Sequence, residues 1–248
     1  MAARREIRIL NSADELFRAA AEEFAGRAAE AVQLRGRFCV ALSGGSTPKT
    51  LYALLASGAI PGIPWDKIFL FWGDERHVPP DDPESNYRMV KESLLAKISL
   101  PAGNVFRIKA EDTDAARAAA DYERTLVSFF GLQSGEFPRF DLILLGLGPE
   151  GHVASLFPGS AAMNEKKRLV VSNWVEKFKT DRITFTFPVL NHAACVMFLA
   201  SGQGKAAIVK QVLEDDGEPL PAKLVQPEDG DLLWFLDKDA ASSAGVTL

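Results

Sequence analysis

A doubly wound α/β fold is what this sequence predicts, and three observations predict it. Short apolar runs rich in β-branched and aromatic residues recur along the chain, helical patterns separate them, and several runs are apolar at every position instead of every second one. Unbroken apolar strands are those buried on both faces, as in a mostly parallel sheet with helices on both faces and right-handed crossovers. The 248 residues, 47% hydrophobic and 25% charged, are enough for one large core. We expect a single α/β domain over residues 1–248.

The elements follow in order. Ser12 and Glu15 form a capping-box pattern that opens an Ala/Glu-rich helix running to about Leu34. RFCVAL then leads through a Gly/Ser turn into PKTLYALLA, KIFLFW through a long polar loop into SNYRMVKESLLAK, and NVFRI into DAARAAADYERTLVSFF. FDLILLGL, LVVSNW, RITFTF and ACVMFLAS continue the strand series, KAAIVKQVL supplies another helix, and DLLWFLD closes it. Gln133 to Arg139 and Asp215 to Asp231 read as surface loops.

The totals narrow the function classes. A net charge of −5 makes nucleic acid or an anionic membrane surface an unexpected partner, so an anionic ligand has to be held by local cations. Cys39 and Cys195 lie in apolar runs, the setting of buried free thiols in a reducing compartment, not of a disulfide framework. The amino terminus has no apolar run of signal-peptide length, and no later stretch approaches the ~20 residues that span a bilayer. A cytoplasmic protein is the expectation.

In open parallel sheets ligands bind beyond the carboxyl ends of the strands, which directs attention to four loops. Ser43-Gly44-Gly45-Ser46-Thr47-Pro48 leaves a strand and enters a helix at Pro48. Its glycines let backbone N–H groups crowd round an anion, its hydroxyls add donors, and the helix dipole favours negative charge, so it has the makings of a phosphate cradle. The alternative is a plain turn with a Ser or Thr cap. Gly73-Asp74-Glu75-Arg76-His77 follows KIFLFW and continues to Asn86. There an arginine can depress two carboxylate pKa values and bind phosphate, although a solvated charged loop reads equally well. His77 is expected to face solvent.

Gly146-Leu147-Gly148-Pro149-Glu150-Gly151-His152 matches the dinucleotide fingerprint by pattern. No acidic residue ends the next strand, where the chain reads LVVSNW, and that argues against a dinucleotide. Instead the glycines can bring Glu150 and His152 together as a general base beside its charge, or as a structural loop histidine. Last, Arg182 opens a strand and Lys205 opens a helix after a glycine turn, two cations each worth roughly 1.5–3 kcal/mol to a bound phosphate if they reach one. The three histidines show no metal-ligand spacing, and we expect no metal and no cofactor.

SGGSTP, DERHVPPDDPESN, LGLGPEGHVASLFPG, RITFTF with Asn191, and GQGK occur in the order and at about the spacing seen in 6-phosphogluconolactonases. The chain thus resembles that branch of the glucosamine-6-phosphate isomerase/6-phosphogluconolactonase superfamily over residues 40 to 205. ASLFP is the most specific part, and Arg76 also favours the lactonase branch over the deaminases. The resemblance implies phosphate binding by Ser43, Gly44, Gly45, Arg182 and Lys205, with Ser46, Thr47 and Arg76 in the same binding set. His152 is then the base that activates water against a phosphorylated sugar lactone, Glu150 its partner, and Asp74 a holder of sugar hydroxyls or water. One departure stands out, because Glu150 occupies a place that is usually aspartate. A monomer or small homo-oligomer is expected.

Overall fold

The computed structural model describes residues 4–214 and 219–245. In chain order the elements are β1 Arg5–Leu10, α1 Ala13–Arg35, β2 Phe38–Leu42, α2 Ser46–Ala56, β3 Ile68–Trp72, β4 Asp74–Arg76, α3 Asn86–Ser93 and β5 Val105–Phe106. They continue with α4 Ala115–Phe130, β6 Leu142–Gly146, β7 Val170–Val175, β8 Thr180–Phe185, α5 Phe187–Asn191, β9 Cys195–Ala200, α6 Ala206–Leu213, β10 Asp231–Asp237 and α7 Lys238–Ala241. Seven strands form a parallel sheet in the order β1-β10-β9-β6-β2-β3-β5. β2, β6 and β9 are its middle strands; every residue of β2 and β9 is buried and only Gly146 of β6 is not, as their unbroken apolar sequences require.

Local signals place the helix ends. Ser12 caps α1 by accepting from the Glu15 N–H, while the Glu15 carboxylate reaches back to the Asn11 N–H, and Gly36 ends the helix with a left-handed backbone. Asp114 caps α4 and Gly131 closes it. Inside, Phe71 meets Phe106, Phe129, Phe130 and Phe140 with ring centroids 4.8–5.8 Å apart, packing that joins α4 to the sheet. Cys39 and Cys195 are buried and unpaired, and burial pushes both thiols up to about 12. Among the described residues no helix is long and apolar enough to cross a membrane.

Two expectations are corrected. LVVSNW and RITFTF do not join the parallel series: β7 and β8 form an antiparallel hairpin that continues to β4, giving a separate sheet of order β4-β8-β7. Only residues 176–179 separate β7 from β8, far too few for a parallel crossover. β1 is the other surprise, a charged edge strand of pattern Arg-Glu-Ile-Arg-Ile-Leu paired to β10. Its charges suit an unprotected sheet edge and hide it in the sequence. The 133–139 loop is found as expected. Of the 215–231 loop, 215–218 lie outside the described residues, 219–230 are irregular apart from a short 3₁₀ turn at Pro221–Leu224, and Asp231 already opens β10.

The topology locates the site. From β2 the chain works outward through β3 to β5, then returns to the far side of β2 at β6 and proceeds to β9 and β10. The strand order therefore reverses between β2 and β6, the crevice at which ligands bind in such sheets.

Candidate active site

The loops leaving β2 and β6 meet at this crevice and wall a cleft of about 240 Å³. Ser43, Gly44, Gly45, Ser46 and Thr47 line it, together with Asp74, Arg76, Asn86, Gly148, His152 and Lys205. Nine of the eleven expected site residues are thus brought together. Glu150 and Arg182 stand outside the lining.

The β2 loop presents donors without using them. α2 starts at Ser46, two residues before Pro48, and its cap is Gly45, with no side chain capping its first N–H groups. A Ser or Thr cap is therefore not the role of this loop, and its first-turn N–H groups are left facing the cleft region with the positive end of the helix dipole. The Ser43 hydroxyl is buried and makes no hydrogen bond among the described residues, while its backbone N–H and C=O both engage the buried Tyr52 hydroxyl. Gly44 has to be glycine, because a Cβ would lie 1.9 Å from Asn86 Oδ1.

The β6 loop carries the histidine. Gly148 N–H donates to the His152 carbonyl and Gly151 N–H to that of Gly148, a tight turn that folds the ring back over Gly148. His152 Nδ1 is 3.1 Å from Glu150 Oε2, and the ring stacks on Phe157 at 4.1 Å between centroids. Nδ1 is thereby occupied and Nε2 is the ring nitrogen with no partner among the described residues. Burial lowers the His152 pKa below its ordinary 6.5, against the opposing pull of Glu150 and Asp74, so the ring is neutral at pH 7. Burial alone would raise the Glu150 pKa, but bonds from Lys177, the backbone and His152 prevail and hold it below the usual carboxylate value. On the same wall, Lys205 Nζ donates to the Leu147 carbonyl at 2.7 Å, and burial lowers its pKa.

The small sheet supplies Asp74 and the arginines. Asp74 and Arg76 pair with Thr184 and Arg182 across β4 and β8. Asp74 is buried; its Oδ2 accepts from Ser155 Oγ at 2.7 Å and its Oδ1 lies 3.4 Å from Asn86 Nδ2. Ser155 is in turn held by all three strands, through Asp74, through Thr184 Oγ1 at 3.1 Å, and through Asn173 Nδ2 on its carbonyl at 2.9 Å. Neither Asn86 nor Ser155 was singled out as a site residue from sequence; only their places in the DERHVPPDDPESN and ASLFP motifs hinted at them. Arg182 is buried beside Arg76, its guanidinium over the Phe178 ring at 5.0 Å and without a hydrogen bond among the described residues. Burial, then Arg76, lower its pKa.

Two further expectations change. Glu75 is no ligand: its carboxylate accepts from the N–H groups of Arg76, Asn86 and Tyr87 and from Ser85 Oγ, tying the 77–84 loop to the start of α3. Its pKa is raised, not depressed, because burial outweighs those bonds. His77 is only partly exposed, and its Nε2 contacts the Asp112 carbonyl at 2.6 Å. Asn191 from the RITFTF region is likewise structural, bridging the Leu224 carbonyl and the Gln226 N–H.

Residues 11–234 match the family described as glucosamine-6-phosphate isomerases/6-phosphogluconolactonase. The 6-phosphogluconolactonase of Nostoc sp. is 42% identical over 87% of this chain and 88% of its own, and that of Arabidopsis thaliana chloroplasts 46% over 84% and 66%. Among solved structures, 6-phosphogluconolactonase from Trypanosoma cruzi superposes with a TM-score of 0.86 at 30% identity, covering 99% of each chain. A monomeric glucosamine-6-phosphate deaminase, at 21% identity and TM-score 0.79 over 96% and 99%, shares the fold. With the matched span taking in both loops of the crevice, His152 and β4 to β9, the chain belongs to the glucosamine-6-phosphate isomerase/6-phosphogluconolactonase family.

Proposed function

We propose that this chain is a 6-phosphogluconolactonase that opens 6-phosphoglucono-1,5-lactone with water, His152 acting as general base. The observation that carries the mechanism is one cleft holding both a helix start with no side-chain cap, flanked by Lys205 and Arg76, and a neutral histidine whose Nδ1 is already engaged. Its lactonase relatives support the reaction, and the geometry supports the roles.

Ser43, Gly44, Gly45, Ser46 and Thr47 receive the phosphate with Lys205, as anions bind at helix starts. Arg76 adds a second cation, and Arg182 backs it from the neighbouring strand. His152 Nε2 takes a proton from water as the oxygen attacks the lactone carbonyl carbon. The tetrahedral intermediate collapses with cleavage of the acyl carbon–ring oxygen bond, the proton passes to that oxygen, and 6-phosphogluconate is released. Glu150 holds the ring tautomer that leaves Nε2 unprotonated and stabilises the imidazolium. Asp74, fixed by Ser155 and Asn86, holds a sugar hydroxyl or the water. A lactone is already an activated ester, so positioning and one base suffice, without a metal or cofactor.

The test is acid release from freshly generated 6-phosphogluconolactone, with and without the protein, beside ammonia release from glucosamine 6-phosphate. Accelerated lactone opening without ammonia is expected. Ammonia release with no effect on the lactone would overturn the proposal.

A further inference from the structure

The glutamate at position 150 has two oxygens and divides them: Oε2 meets His152 Nδ1 at 3.1 Å, and Oε1 meets Lys177 Nζ at 2.8 Å. Lys177 belongs to neither crevice loop. It lies in the turn between β7 and β8 of the small sheet. The next residue of that turn, Phe178, packs edge-on against Phe157 at 6.0 Å, and Phe157 is the ring on which His152 stacks. The hairpin thus reaches the histidine twice, once through charge and once through aromatic contact. We infer that Lys177 is a positioning residue for this reaction: the β7–β8 turn clamps Glu150 and, through it, sets the orientation and charge of His152.

The length of residue 150 is part of the argument. A carboxylate one methylene longer than aspartate reaches from its own turn to the hairpin while still touching the imidazole. Without Lys177 both oxygens would be free to swing on an extra rotatable bond, and the bond to Nδ1 would be one of several orientations. The cation also competes for the negative charge that would otherwise favour imidazolium. The charged groups around His152 are Glu150 on its own turn, Asp74 on β4, Lys177 on the hairpin, and Arg76 and Lys205 on the cleft walls. Of these, Glu150 and Asp74 raise the His152 pKa and Lys177 lowers it.

A purely structural reading has a different signature. The Lys177 side chain is 56% exposed, and an ion pair of that exposure adds little to fold stability. Its removal should leave the melting temperature near that of wild type while changing the titration of His152.

This inference rests on the His152 reading of the active site, so the test is a readout that does not need it. The imidazole resonances of His152 are titrated by NMR in wild type, Lys177→Met and Lys177→Arg, with assignment from the absence of that signal in His152→Ala. The expected result is an upward shift of the His152 pKa by about half a unit in Lys177→Met, the size one partly solvated charge produces, with return toward the wild-type value in Lys177→Arg. An unchanged pKa in Lys177→Met, or Lys177→Arg titrating like Lys177→Met, overturns the clamp. The pH dependence of lactone opening is recorded on the same proteins. If the NMR pKa moves and the acid limb of the rate does not, the clamp stands and His152 is removed as the base.

Discussion

Replacing Gly148 with alanine probes how closely the histidine depends on its turn. Gly148 has no left-handed backbone conformation, so alanine adds no conformational strain there. A Cβ would instead stand 2.0 Å from His152 Nδ1, 2.1 Å from Cε1 and 2.6 Å from Cγ. To reach an ordinary contact the ring has to retreat by about 1.4 Å. That displacement is large against a 3.1 Å bond to Glu150, and it carries Nε2 by a similar distance. A base misplaced by about 1 Å costs on the order of 10²-fold in rate, so kcat for lactone opening should fall by about that factor. The assay pairs stopped-flow acid release with a thermal melt and calorimetric binding of phosphogluconate. The melt should shift by only a few degrees, since the imidazole, 22% exposed, has one side open toward the cleft, and binding should persist. A variant with wild-type kcat would refute the idea that this turn positions the catalytic ring.

Three other outcomes are expected. His152→Ala should lower turnover by about 10²-fold or more with phosphogluconate affinity little changed, which steady-state kinetics and calorimetry would check; full activity would remove the residue from the base role. Because burial holds the His152 pKa below 6.5 and only the neutral ring can accept a proton, the acid limb of kcat/KM should have its midpoint below that value. A midpoint above 6.5 in the pH–rate profile would contradict this. Ser155→Ala leaves buried Asp74 Oδ2 without its 2.7 Å donor, a loss of about 1–3 kcal/mol that a urea titration would read, accompanied by lower kcat.

Much of this site was legible because it sits where sequence signals are local. FCVAL and LILLG are apolar at every buried position, which announces central parallel strands, and the glycine-rich stretches follow them directly. The Gly148-to-His152 turn closes within five residues, so its two functional side chains could be paired by eye. What stayed hidden was non-local. Ser155 meets Asp74 across 81 positions of chain, and nothing near either residue announces the other. Glu75 beside Arg76 suggested a carboxylate with a depressed pKa; its actual work, closing the loop onto α3, depends on the path of residues 77–86. The apolar runs of β7 and β8 look like those of the parallel strands in composition, and only the four-residue connection between them, too short for a crossover, marks the antiparallel hairpin.

The division of the cleft between two sheets has a consequence for how such an enzyme can change over generations. The proposed phosphate cradle and the histidine hang from the large parallel sheet, whose middle strands are packed on both faces and tolerate little alteration. The hairpin that touches Glu150 ends in an exposed turn, where substitutions cost the fold almost nothing. Variation can therefore accumulate at the turn and retune the acidity at which the enzyme works, while the machinery that grips the substrate is inherited unaltered.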